Sequence, residues 1–174
     1  ILVLAYTNRA VDEISEAIDD AIGHIPKITP QHFIRIGSEL STAEKYRPNL
    51  LNNLPFKNRR ELVPMIQEHR VFVSTIATFS NRQDILELKD FDTVIIDEAS
   101  QILEPQIIGI LCLFKKVILI GDEKQLPAIS VQDDAFANLL DTPKTNELSL
   151  LDIGLTNLKN SLFERMLATC KKQK

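Results

Sequence analysis

Tryptophan is absent from the 174-residue chain, and tyrosine, methionine and cysteine occur twice each. Two cysteines, Cys112 and Cys170, cannot build a disulfide framework, and Cys112 lies in an apolar run where a thiol behaves as a small hydrophobe. A reducing, intracellular setting is expected, cytoplasmic or, in a eukaryote, nuclear. Long hydrophobic runs are missing too. The longest, Ile107 to Phe114, is interrupted by Gly109 and stops at Lys115, well short of the roughly 20 apolar residues of a membrane span. Nor is there an excess of positive charge: the net charge is −4. No global basic field exists to hold nucleic acid or an acidic membrane surface, so any nucleic-acid contact must be local.

What is present is the composition of a soluble globule, 44% hydrophobic and 25% charged, with enough length for one domain or slightly more. Residue 1 is Ile rather than Met, and the chain opens directly on the strand-like run Ile1-Leu2-Val3-Leu4-Ala5. A piece of a longer protein is expected. After Tyr6-Thr7-Asn8-Arg9, apolar residues recur at helical spacing at Val11, Ile14, Ala17, Ile18, Ala21 and Ile22, with Asp12, Glu13, Glu16, Asp19 and Asp20 on the other face. Thr7 or Asn8 can cap this helix, and Gly23 can end it in a left-handed conformation.

Phe33–Ile36 reads as a short strand. From Gly37 to Arg70 the chain turns polar, with a helix expected near Phe56–His69. Apolar, β-branched order returns at Val71–Thr75, Thr93–Ile96 and Val117–Ile120. Runs apolar on both faces suit a parallel sheet covered on both sides. Pro105 opens a crossover helix over Gln106–Phe114, and Phe136–Leu140 and Leu158–Ala168 are further helix candidates. The class is α/β.

Val94-Ile95-Ile96 runs into Asp97-Glu98-Ala99-Ser100-Gln101, which sets adjacent carboxylates at the C-terminal edge of a parallel sheet, where open α/β folds bind ligands. One carboxylate can serve hydrated Mg²⁺ while the other orients or deprotonates water, the division of labour that phosphoanhydride hydrolysis requires. Read alone, the pair serves equally well to start a turn or cap a helix. One crossover helix later, Ile118-Leu119-Ile120 leads into Gly121-Asp122-Glu123-Lys124-Gln125-Leu126-Pro127. There Gln125 offers a neutral amide able to bond a terminal phosphate, and Pro127 stiffens the loop.

Together these residues resemble superfamily 1 helicases, in the branch of nonsense-mediated-decay RNA helicases and replication helicase-nucleases. Asp97-Glu98-Ala99-Ser100-Gln101 with Glu104-Pro105 is similar to that branch's motif II, and Gly121 to Pro127 to its motif III. Leu2 to Asp12 resembles motif Ia, Val73 to Phe79 the following strand-and-loop motif, and Asn160 to Arg165 the family's Ser-Leu-Phe-Glu-Arg segment. The resemblance implies a three-layer, RecA-like P-loop NTPase fold with a mainly parallel sheet. Residues 1–174 would then be a partial first motor domain from motif Ia to motif III, with 37–70 as a helical insertion.

It further implies an ATP-driven helicase or translocase moving along single-stranded DNA or RNA, generally 5′ to 3′. The catalytic residues would be Glu98 activating water, Gln125 sensing the γ-phosphate and Asp97 holding Mg²⁺. ATP and Mg²⁺ would be bound by Asp97, Glu98, Gln125, Gly121 and Asp122. Thr7, Asn8, Thr75 and Thr78 would touch the nucleic-acid backbone, since hydroxyls and amides grip phosphates without large basic charge. A second RecA-like domain of the same full-length chain would complete the motor.

No Gly-x-x-x-x-Gly-Lys-Ser/Thr loop occurs in the 174 residues. The resemblance places it upstream, so the chain alone is expected to be catalytically incomplete. A chain lacking that loop's strand would also leave Val117–Ile120 as a sheet edge open to self-association, unless a segment such as Asp141–Leu151 covers it. The alternative reading is a non-catalytic module, derived from a helicase domain, that binds nucleic acid or protein. His24, His32 and His69 show no metal-ligand spacing. Lys57, Arg59, Arg60 and Arg70 read as a solvated face before a nucleic-acid patch.

Overall fold

The structure is a computed structural model that describes residues 1–24, 33–124, 128, 137, 154, 155 and 157–172. They fall into two compact units, 1–97 with 114–118 and 98–113 with 119–174.

The sheet has five strands, β1 (Leu2–Ala5), β2 (Phe33–Ile36), β3 (Val71–Thr75), β4 (Thr93–Ile96) and β5 (Lys116–Leu119), in the order β2-β3-β1-β4-β5. β1 pairs in parallel with both β3 and β4, setting Leu2 opposite Phe72 on one side and Val94 on the other. β2 pairs in parallel with β3. Leu2, Leu4, Ile34, Phe72, Val73, Val94 and Ile96 are all fully buried. Burying an aliphatic or aromatic side chain of this size stabilises by about 1.5–3 kcal/mol. The doubly apolar strand runs therefore drive the sheet's formation, as expected of an α/β, RecA-like fold.

In the first unit, helix α1 (Asn8–Gly23) follows β1 at once, because Thr7 stays extended and its Oγ1 accepts the Ala10 N–H at 3.1 Å. Ala10 and Val11 pack with Ala5, Phe33, Tyr46 and Val73, with Ile14 and Ile18 alongside. Two sequence expectations need correction here. Gly23 is the last helical residue and no left-handed cap: the helix ends at His24 in right-handed geometry. Asp12 is not on the solvent face, because it is drawn inward by Arg35 of β2.

Residues 37–70 link β2 to β3 through three short 3₁₀ turns and helix α2 (Arg59–Glu68). Asn58 caps α2, its side-chain oxygen accepting the N–H groups of Arg60 and Glu61. Tyr46, Leu50, Leu51 and Ile66 bury the link's apolar positions. Lys57, Arg59, Arg60 and Arg70 are all exposed. Helix α3 (Ile76–Ser80) starts directly at the end of β3.

In the second unit a 3₁₀ turn, Ala99–Gln101, precedes helix α4 (Glu104–Leu111). Pro105 occupies its first turn, where a missing N–H is harmless. Ile107, Ile110 and Leu111 are buried whereas Ile108 is exposed. Cys112 is exposed as well, because it caps the end of α4 rather than continuing the buried face. Helix α5 (Leu162–Lys172) takes the place of the helix expected at 158–168. Of the segment Phe136–Leu140 only Ala137 is described, and Asp141–Leu151 lies outside the described residues. Among the described residues no helix is long and apolar enough to cross a membrane.

Candidate functional site

Sheet pairing runs one residue past the end of β4. The Asp97 N–H still donates to the Leu4 carbonyl of β1 at 2.8 Å, so Asp97 leaves the sheet in register with its neighbour. Glu98 follows with φ 54° and ψ 34°, the one non-glycine with positive φ among the described residues. A left-handed backbone costs a residue with a Cβ about 1–2 kcal/mol.

Two hydrogen bonds within the second unit hold this geometry. The Gln101 N–H donates to the Glu98 carbonyl at 2.9 Å, closing the 3₁₀ turn, and the Ala99 N–H donates to the Ile120 carbonyl at 2.8 Å. Oε2 of Glu98 is removed from solvent. In the same turn the Ser100 hydroxyl is buried with no hydrogen-bond partner among the described residues.

Gly121, next to Ile120, fits tightly against this turn. A Cβ there would stand 3.0 Å from the Ser100 nitrogen and 3.3 Å from the Phe163 ring. Only glycine allows the two segments to meet without a shift. Asp122 is exposed, and its Oδ1 accepts the Lys124 N–H at 2.9 Å.

At the C-terminal edge of the sheet in the first unit, Ala5 pairs with Thr75, so the segments after β1 and β3 emerge side by side. Thr7 and Asn8 are exposed there, Thr75 is buried and Thr78 half-buried. Thr75 Oγ1 accepts the Thr78 N–H at 3.1 Å and donates to Thr78 Oγ1 at 2.8 Å. Both Thr7 and Thr75 are thus helix caps. Beneath the edge, the buried Arg35 donates through Nη2 to the carbonyls of Ser41 at 3.2 Å and Asn8 at 3.5 Å. Burial pulls the Arg35 pKa down, opposed by the Asp12 carboxylate.

A family model described as an AAA domain matches residues 49–133. The DNA replication ATP-dependent helicase/nuclease DNA2 of Gallus gallus is 45% identical over 144 residues, 78% of this chain and 13% of that protein. DNA2 of Saccharomyces cerevisiae is 31% identical over 135 residues, 78% of this chain and 8% of its own length. The DNA polymerase alpha-associated DNA helicase A of the same yeast is 32% identical over 143 residues, 76% and 20% respectively. This chain belongs to the superfamily 1 helicases. It spans a fifth or less of the length of these relatives.

Within this helicase-family chain, the second unit brings the Glu98 turn against Ile120–Gly121, so the ends of the two segments that resemble motifs II and III adjoin. Asp97 ends its strand in the first unit, where Thr7, Asn8, Thr75 and Thr78 share one sheet edge. Gln125 lies outside the described residues. In the sequence Arg35 is not among the candidate site residues, and Ser100 stands in the Asp97–Gln101 segment without a role of its own. A signal existed for the first: an arginine inside the apolar strand Phe33-Ile34-Arg35-Ile36 must bury its charge or leave the sheet. For Ser100 no local signal distinguishes a buried hydroxyl from a turn-former.

Proposed function

We propose that this chain carries the hydrolytic carboxylates and a strand-gripping edge of an ATP-driven helicase or translocase motor that moves along single-stranded nucleic acid in the 5′ to 3′ sense. The observation that carries the reading is Glu98, held in a strained left-handed backbone immediately after the strand-terminal Asp97. Backbone strain of this kind persists where the surroundings over-determine it, and it clusters at active sites.

In this reading Glu98 orients the attacking water and takes its proton, and Gln125 hydrogen-bonds the terminal phosphate. Asp97 would hold Mg²⁺, which when bound neutralises charge developing on the phosphates. The donor set fits. No cluster of three or more His, Cys, Asp or Glu among the described residues forms a metal cage, and Mg²⁺ beside a nucleotide takes one or two carboxylates and fills its shell with water and phosphate oxygens. The orphaned Ser100 hydroxyl, two residues from Glu98, suits a bound water or phosphate oxygen.

On the strand side, Thr7 and Asn8 present a hydroxyl, an amide and a helix N-terminus, with Thr75 and Thr78 beside them. Such groups position a phosphate backbone without reading bases. The full-length protein would add the phosphate-binding loop and the second RecA-like domain, so the 174 residues alone are expected to show no measurable ATP turnover.

The test is Glu98→Gln in the full-length protein. ATP binding is expected to persist while nucleic-acid-stimulated hydrolysis falls about 10²–10⁴-fold, the usual worth of a general base. Unchanged turnover removes Glu98 from the chemistry. A wild-type protein that binds a single strand without ever turning over ATP favours the non-catalytic module.

A further inference from the structure

The turn that begins at Glu98 is braced from one side of the second unit by a segment far away in sequence. Leu103 and Ser161 form an antiparallel bridge, and the Glu104 N–H donates to the Asn160 carbonyl at 3.4 Å. Glu104 itself is only 6% exposed, although it carries a carboxylate at the start of α4. Arg165 of α5 meets it with both prongs of the guanidinium, Nε to Oε2 at 2.8 Å and Nη2 to Oε1 at 2.5 Å. The bond to Glu104 raises the Arg165 pKa above its ordinary value. Ahead of it, Phe163 lies against the space that Gly121 leaves open.

The start of α5 is capped by its own side chains. The Ser161 N–H and hydroxyl both donate to Glu164 Oε2 at 3.1 Å, and the Ser161 hydroxyl accepts the Glu164 N–H at 3.2 Å, a reciprocal capping box. Ser161 is fully buried. The start of α5 therefore meets the segments on either side of the turn at three places: the backbone at Leu103–Glu104, the carboxylate of Glu104, and Gly121, which itself lies against Ser100 of the turn. A buried ion pair is weak evidence of stability, because desolvation offsets most of the attraction. Its two-pronged geometry instead fixes direction and distance.

We propose that Arg165 is a positioning residue for Glu98: by gripping Glu104 with both guanidinium nitrogens it ties the strained turn of Glu98 to the start of α5, so that the placement of α5 sets the placement of the catalytic carboxylate. The inference rests on the hydrolytic role of Glu98 proposed above. Movement of α5 by any ligand or neighbouring domain then changes the rate of the chemical step without changing the groups that contact ATP.

The experiment uses the full-length protein, with ATP turnover stimulated by a poly-dT oligonucleotide and assayed well below each variant's melting temperature. Arg165→Met is expected to lower kcat about 10- to 100-fold, the usual consequence of a misplacement near 1 Å. KM for ATP and the affinity for a non-hydrolysable ATP analogue should change less than about twofold. Glu104→Leu should do the same, and the double variant should lose no more than the worse single one, because both act through one contact.

Wild-type kcat in folded Arg165→Met overturns the proposal, as do equal losses in kcat, analogue binding and folded fraction, which mark a merely structural tie. Should Arg165→Met not fold, Arg165→Lys keeps the charge but loses the fork. An intermediate kcat with unchanged analogue affinity then supports the proposal, and wild-type kcat overturns it. Glu98→Gln is run in parallel. If it turns over normally, the hydrolytic assignment has failed. If it is inactive while the Arg165 variants are normal, only the positioning inference has failed.

Discussion

The guanidinium of Arg35, 1% exposed in the middle of β2, is bonded by the carboxylate of Asp12 on α1, itself 24% exposed. Asp12 Oδ1 also accepts the Ala43 N–H at 3.3 Å, and the same guanidinium reaches the carbonyls of Asn8 and Ser41. One ion pair thus pins the start of α1 and the turn after β2 together. Replacing one partner of a buried pair strands the other charge, at about 3–5 kcal/mol.

Arg35→Ala is therefore expected to destabilise the protein by about that amount. Arg35→Lys should recover only part of it, since an ammonium cannot serve three acceptors from the fixed fork of a guanidinium. Thermal unfolding monitored by circular dichroism checks both. A midpoint unchanged in Arg35→Ala means the pair contributes nothing to the fold.

Glu98 trades stability for geometry. Glycine adopts a left-handed backbone freely, whereas Glu sacrifices about 1–2 kcal/mol there, and glycine's extra chain entropy offsets about 0.5–1 kcal/mol of the gain. Glu98→Gly should consequently fold with stability equal to or slightly above wild type while losing ATP hydrolysis. Denaturant midpoints measured beside ATPase rates test this, and a clear destabilisation would show that the Glu98 side chain supports the fold.

Thr75 and Thr78 are predicted to weaken single-strand binding on loss of their hydroxyls, about equally for different base compositions, because backbone contacts carry no base information. The structure adds a refinement. Thr75 Oγ1 also caps α3, and a lost cap costs about 1 kcal/mol. Thr75→Ser should therefore keep both stability and binding, whereas Thr75→Ala loses both and Thr78→Ala loses binding. Filter binding with poly-dT and mixed-sequence oligonucleotides reads the effect, and loss confined to one sequence contradicts the assignment.

Strand β5 stands at the end of the sheet order, and Val117, Ile118 and Ile120 are 38%, 37% and 50% exposed. An apolar, β-branched strand at the end of a sheet is a template for another chain. The isolated 174-residue chain is expected to self-associate, and Ile118→Lys to reduce that association. Light scattering across a concentration series decides it: a monomeric wild-type chain rules the edge out as the source.

Much of this protein was legible along the chain. Strands apolar on both faces, the crossover helix opened by Pro105 and the carboxylates at the end of β4 are short-range patterns, because burial repeats with the period of a strand or helix and turn chemistry acts over a few residues. These patterns also carried the helicase resemblance. They determined the α/β class and the strand ends at which Asp97, Glu98 and Gly121 sit, and they narrowed the cap of α1 to Thr7 or Asn8, of which the structure uses Thr7.

Only the tertiary structure decided which charges meet. Asp12 and Arg35 are 23 residues apart and Glu104 and Arg165 are 61 apart. Arg35 announces its burial by lying inside an apolar strand, but its partner does not show along the chain; Asp12, Glu104 and Arg165 read in sequence as ordinary charges and become constraints once burial removes water and leaves a charged partner within reach. The left-handed turn at Glu98 was equally invisible, because nothing in a glutamate favours positive φ. It is imposed by the Ile120 carbonyl and by the close approach that Gly121 permits, contacts within the second unit between segments that helix α4 separates in sequence.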